Sequence, residues 1–502
     1  MRKLIKSIGI LAIGTLLSKI LGFVRELVVS YKFGTGSVSD AFVLTNSIPN
    51  SIFSAIAMAV SINFIPVFVT KTSRAKKNIF TSRLLNLYLV ILSIGCVFII
   101  AFPKLVMWIF ATELSYTTYG YAVIMLRIVA LSAFPVVMAT IFQAYSQGEE
   151  SFVSTALYGV VVNIIVIIVT FIASAERYYL LSVGTVVSYI VGFIIMYISA
   201  KRSGFRYIKH LGFRDDGIKQ LFILTLPLLM ENIANNLSEI VDKNIASSLD
   251  VGTISGVGYA NTIANIAYSV ISIPIVTAIY PRYCQMAEKK DMKAFEGELS
   301  SDIQTVVYIL SGIAVFMIVC SEDIVRIVFE RGAFTSESTQ IVSQTMKYYA
   351  VGTAFAGINS LLLRGFYALK ETRRPAMTMV FALACNIALN ISLVRILQHR
   401  GIALSTSLSF IIASELLLYL LNKVFEINII GRVNVEVVKS TCAAGGSAFL
   451  TYAGIRYIGS DNLYVYIVLF LVVYILLYTA MLASVSRDFR REVSNLFYKA
   501  NK

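Results

Sequence analysis

Apolar stretches of roughly 17–25 residues, each long enough to cross hydrocarbon as a helix, recur from one end of this chain to the other. In lipid the backbone must satisfy its own polar groups, so a spanning segment is either a helix or a strand of a closed barrel. Segments of this length are helical. We place fourteen, at about 5–33, 38–69, 84–108, 117–146, 152–174, 178–200, 217–247, 253–281, 303–321, 337–369, 375–395, 401–422, 435–457 and 462–484. Charged residues make up 14% of the chain, where soluble domains carry about 25%. The mean hydropathy is +0.78. The expected fold class is therefore all-α, a polytopic membrane protein, with no separate soluble domain. The start, MRKLIKSIGILAIGTLLSKILG, has a basic head and an apolar core but no small-residue cleavage site, so it reads as an uncleaved first helix. Pro49, Pro135, Pro227 and Pro274 fall inside segments and are the expected kinks.

The loops between segments fall into two sets. About 29 of the 43 basic residues lie in one set together with both ends of the chain, which places these on the cytoplasmic side. The net charge of +15 is mostly this orientation signal, and nucleic acid is not its partner. The basic amphipathic tail SRDFRREVSNLFYKANK is expected to lie on the anionic inner leaflet.

The chain also repeats itself. QAYSQGEESFVSTALYGVVVNI (143–164) lies over RGFYALKETRRPAMTMVFALACNI (364–387), matching Tyr145 with Tyr367, Glu149 with Glu371 and Asn163 with Asn386. VGTVVSYIV (183–191) lies over LSTSLSFII (404–412), matching Thr185 with Thr406 and Ser188 with Ser409. Two six-helix lobes in the same orientation follow, 1–213 and 214–425, with two extra helices over 426–485 and the tail over 486–502.

Charges remain inside the segments: Lys19, Arg25, Arg127, Lys243, Lys347 and Arg364, with Glu26, Asp40, Glu231, Glu239, Asp242 and Glu415. Each costs about 2.5–3.5 kcal/mol at a helix centre, so such residues face protein or a wet cavity. Gly14, Ser18, Gly22 and Arg25 share one face of the first helix, a small polar stripe that reads as a cavity lining. Arg25 and Glu26 near the outer interface, with Arg25 snorkelling to headgroups, is the competing reading. On the seventh segment Asn232, Asn235, Glu239 and Asp242 recur at helical steps, and Lys243 stands where it neutralises Glu239. Carboxylate and amide oxygens of this kind suit Na⁺ or H⁺ coupling, with Asn386, Asn390 and Thr406 as further oxygens; a plain polar seam between helices is the alternative. Five scattered cysteines and two histidines offer neither a disulfide framework nor a histidine metal centre. No nucleotide loop or hydrolase motif is present, so no catalytic residues are expected and transport would draw on an ion gradient or the membrane potential.

SKILGFVRELVVSYKFGTGSVSDAF with the following SIPN resembles the opening signature of the MurJ (MviN) family, lipid II flippases of the multidrug/oligosaccharidyl-lipid/polysaccharide exporter superfamily. VFERGAFT (328–335), RGFYALKETRRP (364–375) and GIALSTSL (401–408) resemble later family landmarks in the right order. The resemblance implies fourteen helices in two lobes, a cationic cavity and alternating access. It implies that Lys19, Arg25, Glu26, Asp40 and Asn261 serve the substrate, an undecaprenyl-diphosphate-linked glycolipid in a membrane of other lipids, and that Asp242, Asn386, Asn390 and Thr406 are a possible sodium site; Arg127, as an interior cation, is a further candidate for holding the diphosphate. Two arginines of the family pattern are absent here: Phe53 stands for one, and the Ala-Asp-Arg of the eighth helix reads Ala260-Asn261-Thr262. Lipid II is the leading cargo. A surface-polysaccharide unit, a drug–cation antiport and a membrane glycosyl polymerase stay as alternatives.

Overall fold

A computed structural model describes residues 2–49, 51, 53, 64–209, 236–458, 462–491 and 494, with side chains from Ile13 on except at 455–458. Every regular element among them is helical: α1 (Arg2–Phe33), α2 (Ser37–Pro49), α3 (Arg74–Ala101), α4 (Pro103–Phe110), α5 (Tyr116–Ala130), α6 (Ala133–Gly148), α7 (Val153–Ile172), α8 (Leu180–Arg202), α9 (Thr253–Glu288), α10 (Met292–Val319), α11 (Ser321–Phe329), α12 (Ser336–Ala368), α13 (Arg373–Leu397), α14 (His399–Phe425), α15 (Ile430–Ile458) and α16 (Leu463–Val485). Residues 236–246 are helical as well. Nine spans among the described residues are long and apolar enough to cross a membrane. The all-helical class read from the apolar segments is the one observed.

Proline sets the breaks inside segments. Pro135 sits in the first turn of α6 and cannot donate to the carbonyl of Leu131, so the fifth and sixth helices part at Leu131–Ser132. Pro103 opens α4 in the same way. Pro274 is carried within α9 and Pro49 closes α2. Pro227 lies outside the described residues.

The chain forms two compact units, one over 1–255 with 331–335, the other over 256–330 with 336–502. In the first, α1 packs on α7, α7 on α8, α6 on α8 and α2 on α5. The α1–α7 seam is made of small residues. A Cβ at Gly14 would meet the Ala156 backbone at 2.6 Å, and one at Gly159 would meet Ser18. Such close approach is how helices associate where lipid offers no hydrophobic drive between them. Residues 331–335 belong here because the Ala333 N–H bonds the Tyr31 carbonyl at 2.8 Å. Gly332 makes this fit, since its φ is 65° and a Cβ would stand 2.4 Å from that carbonyl oxygen.

In the second unit α12 packs on α14, α13 on α14, and α10 on α12 and α15. Ser407 Oγ accepts the Gly352 N–H at the α12–α14 crossing. Phe470, Tyr474 and Tyr478 stack along α16. The Tyr474 and Tyr478 hydroxyls donate to the carbonyls of Gly312 and Tyr308 on α10.

Helices α6 and α12 end in the same turn, with a non-glycine residue at φ 60°, Glu150 in one and Lys370 in the other. The Ser151 N–H reaches back to Ser146 and the Glu371 N–H to Phe366.

Candidate functional site

Arg25 stands on α1 one step beyond the Gly14–Ser18–Gly22 stripe. That stripe faces α7, so the small residues allow a helix–helix seam and do not line a cavity. The physical reason for the difference is that packing and solvation ask for the same residue sizes. Asn163 completes the seam, donating to the carbonyls of Ser18 at 3.1 Å and Gly159 at 2.9 Å. Arg25 is held at its edge. Its Nη2 meets Glu26 Oε1 at 2.8 Å, with the two side chains 32% and 20% exposed. Its Nε is buried and has no hydrogen-bond partner among the described residues. A guanidinium carries five N–H donors in a fixed fork, so a cation with unspent donors is fixed on a membrane-length helix.

Lys19 and Arg25 stand about 120° apart around α1 and present no common face. Lys19 is exposed, as are its neighbours Leu16, Leu17 and Ile20. Arg127, on α5, is exposed too. Neither Lys19 nor Arg127 is gathered with Arg25 by any bond among the described residues.

Asp40 is 2% exposed and fully engaged. Its Oδ2 accepts the Gly252 N–H at 2.6 Å, and its Oδ1 accepts the Ser255 N–H at 2.8 Å and the Ser255 hydroxyl at 2.6 Å. The first N–H groups of a helix have no intrahelical partner and carry the positive end of its dipole. The role seen for Asp40 is thus a cap on α9, supplied from another helix.

In the second unit Asn261 Oδ1 accepts from Asn265 Nδ2 at 2.8 Å. Asn386, Asn390 and Thr406 do come together. Asn390 Nδ2 donates to Asn386 Oδ1 at 3.2 Å, Asn386 Nδ2 to Thr406 Oγ1 at 3.4 Å, and Ser405 Oγ to Asn390 Oδ1 at 2.6 Å. Asp242 is half-buried in the first unit, and Glu239 beside it pairs with Lys243 as its spacing predicts. Glu231, Asn232 and Asn235 lie outside the described residues. Of the other interior charges, Glu415 accepts from Asn434 at 3.1 Å, the Arg364 guanidinium sits 5.6 Å from the Tyr280 ring centroid, and Lys347 is exposed. Phe53, where the family pattern has arginine, is 4% exposed and packs on the space left by Gly95.

Sequence reasoning missed a buried network at the other end of the chain. Tyr308 on α10 bonds Glu436 Oε2 at 2.9 Å and Ser486 Oγ at 3.1 Å, and its ring meets Phe489 at 5.3 Å. The first turn of the tail is thereby fastened to the second unit. Glu436 sits inside an apolar segment, which was the available signal.

Residues 29–477 match the family model described as lipid II flippase MurJ. The chain belongs to this family. A MurJ relative, the probable lipid II flippase MurJ of Rhizobium tropici, is 25% identical over 469 residues, covering 89% of this chain and 87% of its own length. The lipid II flippase MurJ of Thermosipho africanus is 28% identical over 412 residues, covering 81% and 84%. A solved MurJ structure, titled as an inward closed conformation, superposes with a TM-score of 0.83 at 24% identity over 95% of this chain and 99% of its own. An inward-facing multidrug resistance MATE transporter of the MOP superfamily reaches 0.67 at 13% identity over 85% and 99%. MurJ membership makes the chain a multi-pass bacterial membrane transporter rather than an enzyme.

Proposed function

We propose that this protein is a flippase that moves lipid II, an undecaprenyl-diphosphate-linked sugar–peptide, from the inner to the outer leaflet by alternating access. The observation that carries the reading is Arg25, a cation on a spanning helix with one carboxylate partner and a buried N–H to spare. A diphosphate offers several acceptor oxygens, and guanidinium–phosphate bonds are charge-assisted and bidentate. Glu26 keeps the guanidinium oriented and balanced when no anion is bound. The lipid tail stays in the bilayer throughout. Only the headgroup needs a polar path, which avoids placing its charge and hydroxyls in hydrocarbon.

The basic loops put both chain ends in the cytoplasm, so the headgroup is collected on that side. For coupling, Asn386, Asn390 and Thr406 supply neutral oxygens that suit a monovalent cation. These oxygens already accept hydrogen bonds from one another and from Ser405, so Na⁺ would hold here only by displacing amide contacts. We therefore assign sodium a weak effect and the membrane potential the larger one.

Proteoliposomes carrying the purified chain test this. Lipid II supplied in one leaflet should reach the other well above the protein-free background, with and without sodium. Transport of an undecaprenyl-diphosphate glycan lacking the peptide, with none of lipid II, would give the surface-polysaccharide reading instead. That second reading is favoured by Phe53 and Thr262 standing where the family pattern has arginines.

A further inference from the structure

Gln304 on α10 is 5% exposed, and its amide nitrogen has no hydrogen-bond partner among the described residues. Ser300, about one turn earlier, is 1% exposed, and its hydroxyl is in the same condition. Both line a cavity of about 280 Å³ whose other wall carries Arg432, Asp488 and Arg491. The cavity lies at one end of the second unit, where α10 and α15 begin and the tail leaves α16.

An amide NH₂ can only donate, and a buried donor left alone is costly. The side chains around it demand an acceptor. Arg432 is exposed and makes no ion pair or hydrogen bond among the described residues. Arg491 is only loosely paired, 4.0 Å from Asp488. Two guanidinium groups against one carboxylate leave a net positive site. The tail wall is not a loose flap, because Tyr308 holds Ser486 and Phe489 from the α10 side.

We infer that this cavity binds a phosphate group, held by Arg432, Arg491, Gln304 and Ser300. Several donors converging from two walls match the several oxygens of a tetrahedral anion better than the planar pair of a carboxylate. Val435 and Val438, which follow Arg432 on α15, are exposed apolar residues, so a phosphate that heads a lipid has a surface for its chains. A free phosphate fits the same donors. The site is separate from Arg25 and does not depend on which cargo is transported.

The full-length protein, purified in detergent, is titrated with phosphatidylglycerol, with phosphatidylcholine and with inorganic phosphate, and bound ligand is read by native mass spectrometry and calorimetry. The wild type is expected to retain phosphatidylglycerol in preference to phosphatidylcholine. Arg432→Gln should weaken that binding about tenfold, the loss of one charge-assisted contact. Gln304→Leu should weaken it as well, and Arg432→Lys should keep most of it. Inorganic phosphate binding that shows the same dependence, without retention of phosphatidylglycerol, assigns the site to a soluble phosphate. If Arg432→Gln binds both probes as the wild type does, the inference is overturned. Arg432 is on the surface, so this variant decides the matter even if Gln304→Leu fails to fold.

Discussion

Asp40 and Ser255 share two hydrogen bonds, the serine N–H at 2.8 Å and its hydroxyl at 2.6 Å, both to the same carboxylate oxygen. With the Gly252 N–H on the other oxygen, a buried charge is matched entirely by the start of a helix. Hydrogen bonds to a charged group are each worth about 1.5–3 kcal/mol. Asp40→Ala should therefore cost about 3 kcal/mol or more, read as a lower midpoint in denaturant titration of the purified protein. Ser255→Ala removes only the hydroxyl and should cost about 1 kcal/mol. A double variant less destabilised than the sum of the two would show that they act through one contact.

The α1–α7 seam predicts opposite outcomes for two glycines on one helix. At Gly14 a methyl group meets the Ala156 backbone at 2.6 Å, which no side-chain rotation relieves. At Gly22 it meets the Asn163 amide at 3.8 Å, an ordinary contact. Gly14→Ala should cost about 1–3 kcal/mol through forced separation of the helices. Gly22→Ala should be silent in the same thermal melt. Equal behaviour of the two would contradict the packing described for α1.

Phe53 is 4% exposed and fills space beside Gly95. Phe53→Arg, the residue of the family pattern, would bury an unpaired charge, which costs several kcal/mol. Reduced yield of folded protein and no gain in transport are expected. Normal yield with faster lipid II transport would show that the position opens to water.

The tail predicts a proteolysis result. Tyr308→Phe keeps the ring against Phe489 but removes the hydroxyl shared by Glu436 and Ser486. The cost should be about 1 kcal/mol. Cleavage near Arg487 and Arg490 by trypsin should become faster, while cleavage after Lys201 and Arg202, at the end of α8, should keep its wild-type rate.

Segment length and polarity are local, and so the helical class, the break before Pro135 and the Glu239–Lys243 pair could all be read directly from residues close in sequence. What stayed hidden depends on distant partners. Nothing near Asp40 points to Ser255, and nothing near Tyr308 points to Ser486. The stripe Gly14–Ser18–Gly22 misled for a different reason. Small polar residues serve equally to admit a neighbouring backbone or to line water, and only the position of Ala156 and Gly159 tells which. Arg25 stands out because a cation inside an apolar segment needs a cause, whereas Gln304 draws no notice until its surroundings are known.

In the proposed cycle Arg25 receives the phosphate of the cargo. Initial rates of lipid II translocation in proteoliposomes test it most directly, with wild type, Arg25→Lys and Arg25→Ala reconstituted at equal density. Arg25→Ala should fall to the protein-free background, Arg25→Lys should keep a reduced rate because it retains the charge without the fork, and all three should reconstitute alike. Wild-type rates from Arg25→Ala would contradict it.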